Sequence, residues 1–471
     1  MTIRFLAVVF ILLGAALAPF GIVGGVAGAQ DGTSSGVRPH ANQNITSFTL
    51  DSGMRVVLAP DFRSPVVVHM VWYKAGAVDE PPGKTGIAHM LEHMMFKGTD
   101  TLAPGEFSRR VAKLGGQDNA FTSQDYTAYY QKIARDNLAQ VVGLEADRIA
   151  NLNISDETFQ PERDVVLEER NMRVDSKPIS LFFELFNKKH FPAHPYGNPV
   201  IGWRAHIENY TLEDARSWYH KFYAPQSAIV VFAGALAEDE ARWLAETYYS
   251  DLENPAVTPE RPTVQPAPLF KEAKRFEHTD PRTQLPLWVR SYRAPSLHAG
   301  VAGAPAPTPT KIAALTLLSD VLGGGLTSRL YQSLVMDKKL ADSASARYRA
   351  LSRYESSLSV VVQPKKGVSL EKIEREVERV IADLKKNGLT QDELSRAKIK
   401  AKSADIFARD DLFEAAYRLG IWLTVGGTLD GYRNWLSDID AVTLEDVRLM
   451  ADRVIVKQQS TTGILLPEQT E

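Results

Sequence analysis

The residues with the clearest chemical purpose are His89, Glu92 and His93, in the run His89-Met90-Leu91-Glu92-His93. At ~100° per residue on a helix, His89 and His93 stand within ~40° of each other, and Glu92 lies ~60° from His89 on the other side. Two neutral imidazoles are good zinc ligands. A carboxylate beside them, not itself bound, can take a proton from a metal-activated water. A pattern this short also fits an ordinary amphipathic helix with surface histidines. His190 and His194 share the spacing, but Pro192 between them breaks a helix and no Glu stands at the matching place. That second pair reads as loop or cap residues.

A hydrolytic zinc site wants a third protein ligand and an open position. Glu162 to Asn171 has helical character, with Val165, Val166 and Met172 as its apolar positions. Glu162 and Glu169 are seven apart and share a face, whereas Glu168 points ~100° away from Glu169. Alone, such a segment would read as a solvated acidic face. The order H-x-x-E-H is that of the inverzincins. Together with Glu162-Arg163-Asp164-Val165-Val166-Leu167-Glu168-Glu169, it resembles the pitrilysin family of zinc metallopeptidases. In that family a Glu ligand follows about 76 residues later, within E-R-x-V-V-x-x-E; Glu169 lies 76 residues after His93. The resemblance implies one Zn2+ held by His89, His93 and Glu169, Glu92 as catalytic base, and Glu162 as a carboxylate that orients a ligating histidine.

Further matches span the chain. Gly115 to Thr122 resembles the edge strand on which substrate peptides add, which implies substrate contacts at Asn119, Ala120, Phe121 and Thr122. His194-Pro195-Tyr196-Gly197 and Phe222-Tyr223-Ala224-Pro225 resemble other family signatures.

Elements must hold these residues in place, and composition allows for them. The 471 residues are 44% hydrophobic and 24% charged, enough for two or more cores. A formal net charge of −3 gives no electrostatic case for nucleic acid. The absence of cysteine excludes thiolate ligands and disulfides. Arg4, the apolar or small run Phe5 to Ala29, and Ala27-Gly28-Ala29 read as a signal peptide over 1–29, with an uncleaved anchor as the alternative. A loose tether over 30–47 follows. The expected compartment is the periplasm of a Gram-negative bacterium.

Tyr210-Thr211-Leu212-Glu213-Asp214-Ala215-Arg216 recurs 232 residues on as Val442-Thr443-Leu444-Glu445-Asp446-Val447-Arg448. Strand-like runs open both halves at Val66–Tyr73 and Leu285–Tyr292, each followed by a helix, the second at Lys311 to Val321. Duplication follows: a zinc-bearing domain over 48–253, a Pro-rich linker over 254–270, and a homologous domain over 271–471. In the second copy Thr316, Ser319 and Asp320 stand near the places of His89, Glu92 and His93, so it carries no metal. The expected fold class is α+β, two homologous domains of mixed β-sheet with packed helices, forming one half of a clamshell chamber.

One departure from the family lies in the second half. Gly323-Gly324-Gly325-Leu326-Thr327-Ser328-Arg329-Leu330 matches the element G-G-x-x-S-R-L, after which complete enzymes place a clamp Arg and Tyr. Counting gives Val335 and Asp342. Arg329 belongs to the scaffold, while Arg347 and Tyr348 could compensate only if the backbone differs. The expected molecule is a zinc endopeptidase for extended, unfolded peptides. It would be the catalytic subunit of a heterodimer whose partner lacks zinc but brings the Arg and Tyr. A homodimer is the alternative assembly. The alternative functions are a dedicated maturase for one peptide precursor and a non-catalytic assembly or binding subunit.

Overall fold

The computed structural model describes residues 45–254 and 261–468. The expected signal, most of the tether and linker residues 255–260 lie outside them. Runs of β-branched and aromatic residues form two mixed sheets. The first contains β1 (Thr46–Thr49), β2 (Arg55–Pro60), β3 (Val66–Tyr73), β4 (Gln117–Thr122), β5 (Thr127–Ala134) and β6 (Ala228–Gly234), in the order β1-β2-β6-β3-β5-β4. The second contains β7 (Lys274–Asp280), β8 (Leu287–Ala294), β9 (Ala341–Tyr348), β10 (Ser356–Pro364) and β11 (Ser460–Pro467), in the order β7-β11-β8-β10-β9. β2 runs parallel to β6, and β7 parallel to β11; the other neighbours are antiparallel. Without β1, the two sheets have the same order and the same directions.

The repeated heptapeptides behave alike in both halves. Thr211 and Thr443 each cap a helix and accept from the backbone N–H of the third helical residue, Asp214 or Asp446. The second-half strand and helix fall at Leu287–Ala294 and Pro309–Gly323, close to the segments their patterns predict. Val166 is buried, as its pattern suggests, but Val165 and Met172 are exposed.

β3 and β6 are buried almost throughout because both faces of their sheet are covered. One face packs against helices Ile87–Met94 and Leu212–Phe222. The other receives helix Leu412–Thr424 from the second half, with Ala416, Leu419 and Trp422 against Trp72, Ile229 and Val231. The converse also holds. Helix Pro178–His190 of the first half lays Phe182 and Phe186 on Leu287, Val289 and Leu465 of the second sheet. Each half thus places one helix on the other's sheet, and the ends of the two helices are 234 residues apart in sequence.

Candidate active site

Helix Ile87–Met94 buries Ile87, Met90, Leu91 and Met94 in the first core, which fixes its roll. Its N-terminus is anchored by Glu80, whose carboxylate accepts from the backbone N–H of Gly86 at 2.8 Å and Ala88 at 3.0 Å. Gly86 has φ of +92°, and a Cβ there would lie 2.4 Å from the carbonyl oxygen of Ile201. Only glycine meets both demands. The helix carrying Glu169, Asp156–Arg170, is tied to the same junction: Arg170 donates to the Gly202 carbonyl at 2.6 Å and forks onto Glu184 at 2.9 Å with each nitrogen.

His89, His93 and Glu169 converge. One ligand atom from each lies within 4.8 Å of the others, and all three residues are buried. Glu169 Oε2 is 3.6 Å from His89 Nε2 and 3.1 Å from His93 Nε2. Among the described residues none of these atoms has a hydrogen-bond partner, so three buried polar atoms face one another without the pairing such groups normally require. Two imidazole nitrogens and a carboxylate oxygen at this spacing fit a divalent cation of borderline softness. Glu168, one residue earlier, is exposed.

A second layer holds the ligands. His93 Nδ1 pairs with Glu162 Oε1 at 2.8 Å, which leaves Nε2 for the metal, and Lys97 Nζ contacts the other Glu162 oxygen. Glu92 is buried beside the ligands; its Oε2 accepts from the Thr122 hydroxyl at 2.5 Å and its Oε1 has no hydrogen-bond partner. Burial pushes the Glu92 carboxyl up to about 7, and burial pulls His89 down to about 3. For His93 burial opposes charge, but Glu162 and Glu169 outweigh it and raise the imidazole to about 9. Burial would raise Glu169, but His93, His89 and Arg173 hold it down at about 2. This charge pattern is that of a carboxylate–imidazole cluster waiting to trade a proton for a metal.

Among the described residues, β4 is the edge of its sheet and is hydrogen-bonded only to β5. Asn119 accepts from the Ala120 N–H through its own side chain. Ala120 and Thr122 face the zinc-motif helix side, while Phe121 packs oppositely against Trp72, Tyr126 and Tyr417. Thr122 thus has a contact to Glu92 that its place in a strand motif did not predict. Lys97 and Arg173 were also not singled out; Arg173 sits four residues after Glu169, the spacing that brings side chains together on a helix, whereas Lys97 lies beyond its helix and contacts Glu162.

In the second half, Asp320 is paired with Lys400. Thr316 donates to the carbonyl of Ile312. His190 and His194 serve as cap and packing groups: His190 Nδ1 pairs with Thr461, and His194 Nδ1 accepts from the Tyr196 N–H. Val335 is half-buried against the second core and Asp342 is exposed on edge strand β9. Arg329 forks onto Glu393 and reaches the Gly388 carbonyl, a scaffold contact. Tyr348 donates to the Pro295 carbonyl at 2.6 Å.

The fold and this site are those of a zinc metallopeptidase class, and comparison with known proteins agrees. Residues 55–203 match the model of insulinase (peptidase family M16), and 209–400 match the peptidase M16 inactive domain. The chain belongs to peptidase family M16. It is 32% identical to the zinc protease PqqE of Helicobacter pylori over 89% of this chain and 92% of that one. It is 26% identical to the mitochondrial-processing peptidase subunit beta of Dictyostelium discoideum, over 86% and 85%. The crystal structure of a Helicobacter pylori protease superposes with a TM-score of 0.83 at 30% identity, covering 90% of this chain and 99% of that one. The periplasmic protease PqqL of Escherichia coli shares the fold, with a TM-score of 0.75 at 18% identity, over 92% of this chain and 48% of that one. Zinc is the cofactor these relationships and the cluster indicate together. No helix among the described residues is long and apolar enough to cross a membrane.

Proposed function

We propose that the chain is a zinc-dependent endopeptidase with His89, His93 and Glu169 as ligands and Glu92 as general base. The observation that carries this is the convergence of three buried ligand atoms that make no hydrogen bonds, beside a buried carboxylate with one oxygen unpartnered. Zinc, when bound, acidifies a water and polarises the scissile carbonyl. Glu92 accepts the water's proton on Oε1 and passes it to the leaving amine, while Thr122 holds Oε2. Its raised pKa suits both halves of that transfer, and a neighbouring dication would draw it downward. Glu162 keeps His93 in the tautomer whose Nε2 is free for the metal. Asn119 to Thr122 lie on β4, an edge strand of its sheet, beside which an extended peptide pairs by main-chain hydrogen bonds and many sequences fit.

The chain acts as the zinc-bearing subunit of a heterodimer that closes a chamber around the substrate. Neither Val335 nor Asp342 can donate to an oxyanion as Arg or Tyr would, and Tyr348 is committed to Pro295. A relative is itself named as a subunit. Residues 1–29 export the chain to the periplasm. The test is Glu92→Gln in zinc-loaded protein assayed with a related subunit. Retained zinc with lost peptide cleavage supports the reading, and near-normal cleavage refutes it.

A further inference from the structure

The helix carrying Glu169 does not end as a regular α-helix. It passes into a π-helical turn, Asn171–Asp175, a rare form that recurs at functional sites. Arg173 lies in this turn. Its Nε sits 2.9 Å from Glu169 Oε1, an ion pair whose alignment falls short of a hydrogen bond. The other oxygen, Oε2, is the one that faces His89 and His93. The two oxygens of one carboxylate are thus divided between an arginine and the metal cluster.

We infer that Arg173 is a positioning residue that holds Glu169 to a single-oxygen ligand and so keeps a ligand position open for water. The inference rests on Glu169 being a metal ligand. A carboxylate can bind a metal through one oxygen or two. With both oxygens engaged, Glu169 would fill the place that water and the substrate carbonyl need. A guanidinium on Oε1 opposes that swing by charge and by direction. The nearby Arg170 pairs with Glu184, Asp175 and the Gly202 carbonyl and acts on the backbone junction. Arg173 is partly solvent-exposed, so its replacement leaves the core intact.

The experiment uses the full chain loaded with Co2+ in place of zinc. Cobalt's visible absorption is strong when four-coordinate and weaker at higher coordination. Arg173→Gln should keep full metal content under chelator competition yet show the weaker spectrum, and with Zn2+ it should cleave peptide roughly 10- to 100-fold more slowly. Arg173→Lys, which keeps the charge, should restore the stronger bands in part. An unchanged spectrum in Arg173→Gln overturns the inference. Loss of metal from Arg173→Gln also overturns it, since Arg173 would then merely support binding. Glu169→Gln separates the two readings: it should lose the metal, and if it retains native content and spectrum, the ligand assignment fails before the question of Arg173 arises.

Discussion

At the scale of single residues, the site divides labour among groups that the linear motif lists side by side. Glu169→Gln should cost metal and Glu168→Gln should not, because only Glu169 points into the cluster; zinc content of the purified variants decides it. Thr122→Val keeps shape and removes the donor to Glu92. A hydrogen bond to a charged group is worth roughly 1.5–3 kcal/mol, so turnover should fall about tenfold or more with zinc content and KM little changed. A large rise in KM with kcat intact would instead assign Thr122 to peptide binding. His89 and His93 were legible in sequence because helical spacing puts them on one face, whereas Glu169, on a second helix, was reached through the family resemblance. The contacts of Thr122 with Glu92 and of Lys97 with Glu162 were not, because they depend on how a strand edge and two helices meet in space; Arg173 stands four residues after Glu169, a spacing that could have pointed to it.

At the scale of elements, the contact between halves is written in one glycine. Gly420 sits in helix Leu412–Thr424 where a Cβ would come within 2.0 Å of the Trp72 ring. Trp72 is fully buried and held on its other edges by Phe121 and Tyr126, so it has nowhere to move. Gly420→Ala should destabilise the chain by about 1–3 kcal/mol through overpacking, despite the better helix propensity of alanine; calorimetry should show a lower Tm. The strands opening both halves were readable from their runs, and the capped helices from Thr211 and Thr443. The reciprocal helix placement was not. Phe182 and Phe186 announce a buried face on their helix but say nothing about which sheet will cover it.

At the scale of the whole molecule, the proposal that a partner supplies the donors for which Val335 and Asp342 cannot serve sets the expected behaviour in solution. Losing one oxyanion donor can cost roughly a hundred- to a thousand-fold in rate. Zinc-loaded chain assayed alone should therefore cleave unfolded peptides poorly. A related subunit that lacks H-x-x-E-H but keeps the Arg and Tyr should raise specific activity by a comparable factor and elute with this chain as an equimolar complex. High activity from the chain alone, unaffected by that subunit, would show that its own residues complete the site.

The exchange of helices between the sheets bears on how the polypeptide comes apart. Cutting the chain at the proline-rich segment would strip Trp72 and Phe121 of their cover on one fragment, and Leu287, Val289 and Leu465 of theirs on the other. Neither half can melt without exposing apolar surface belonging to its neighbour, so the two cores are coupled in folding even though each has its own sheet. Heating should give one calorimetric transition with equal calorimetric and van't Hoff enthalpies, and each half expressed alone should aggregate where the intact chain stays soluble.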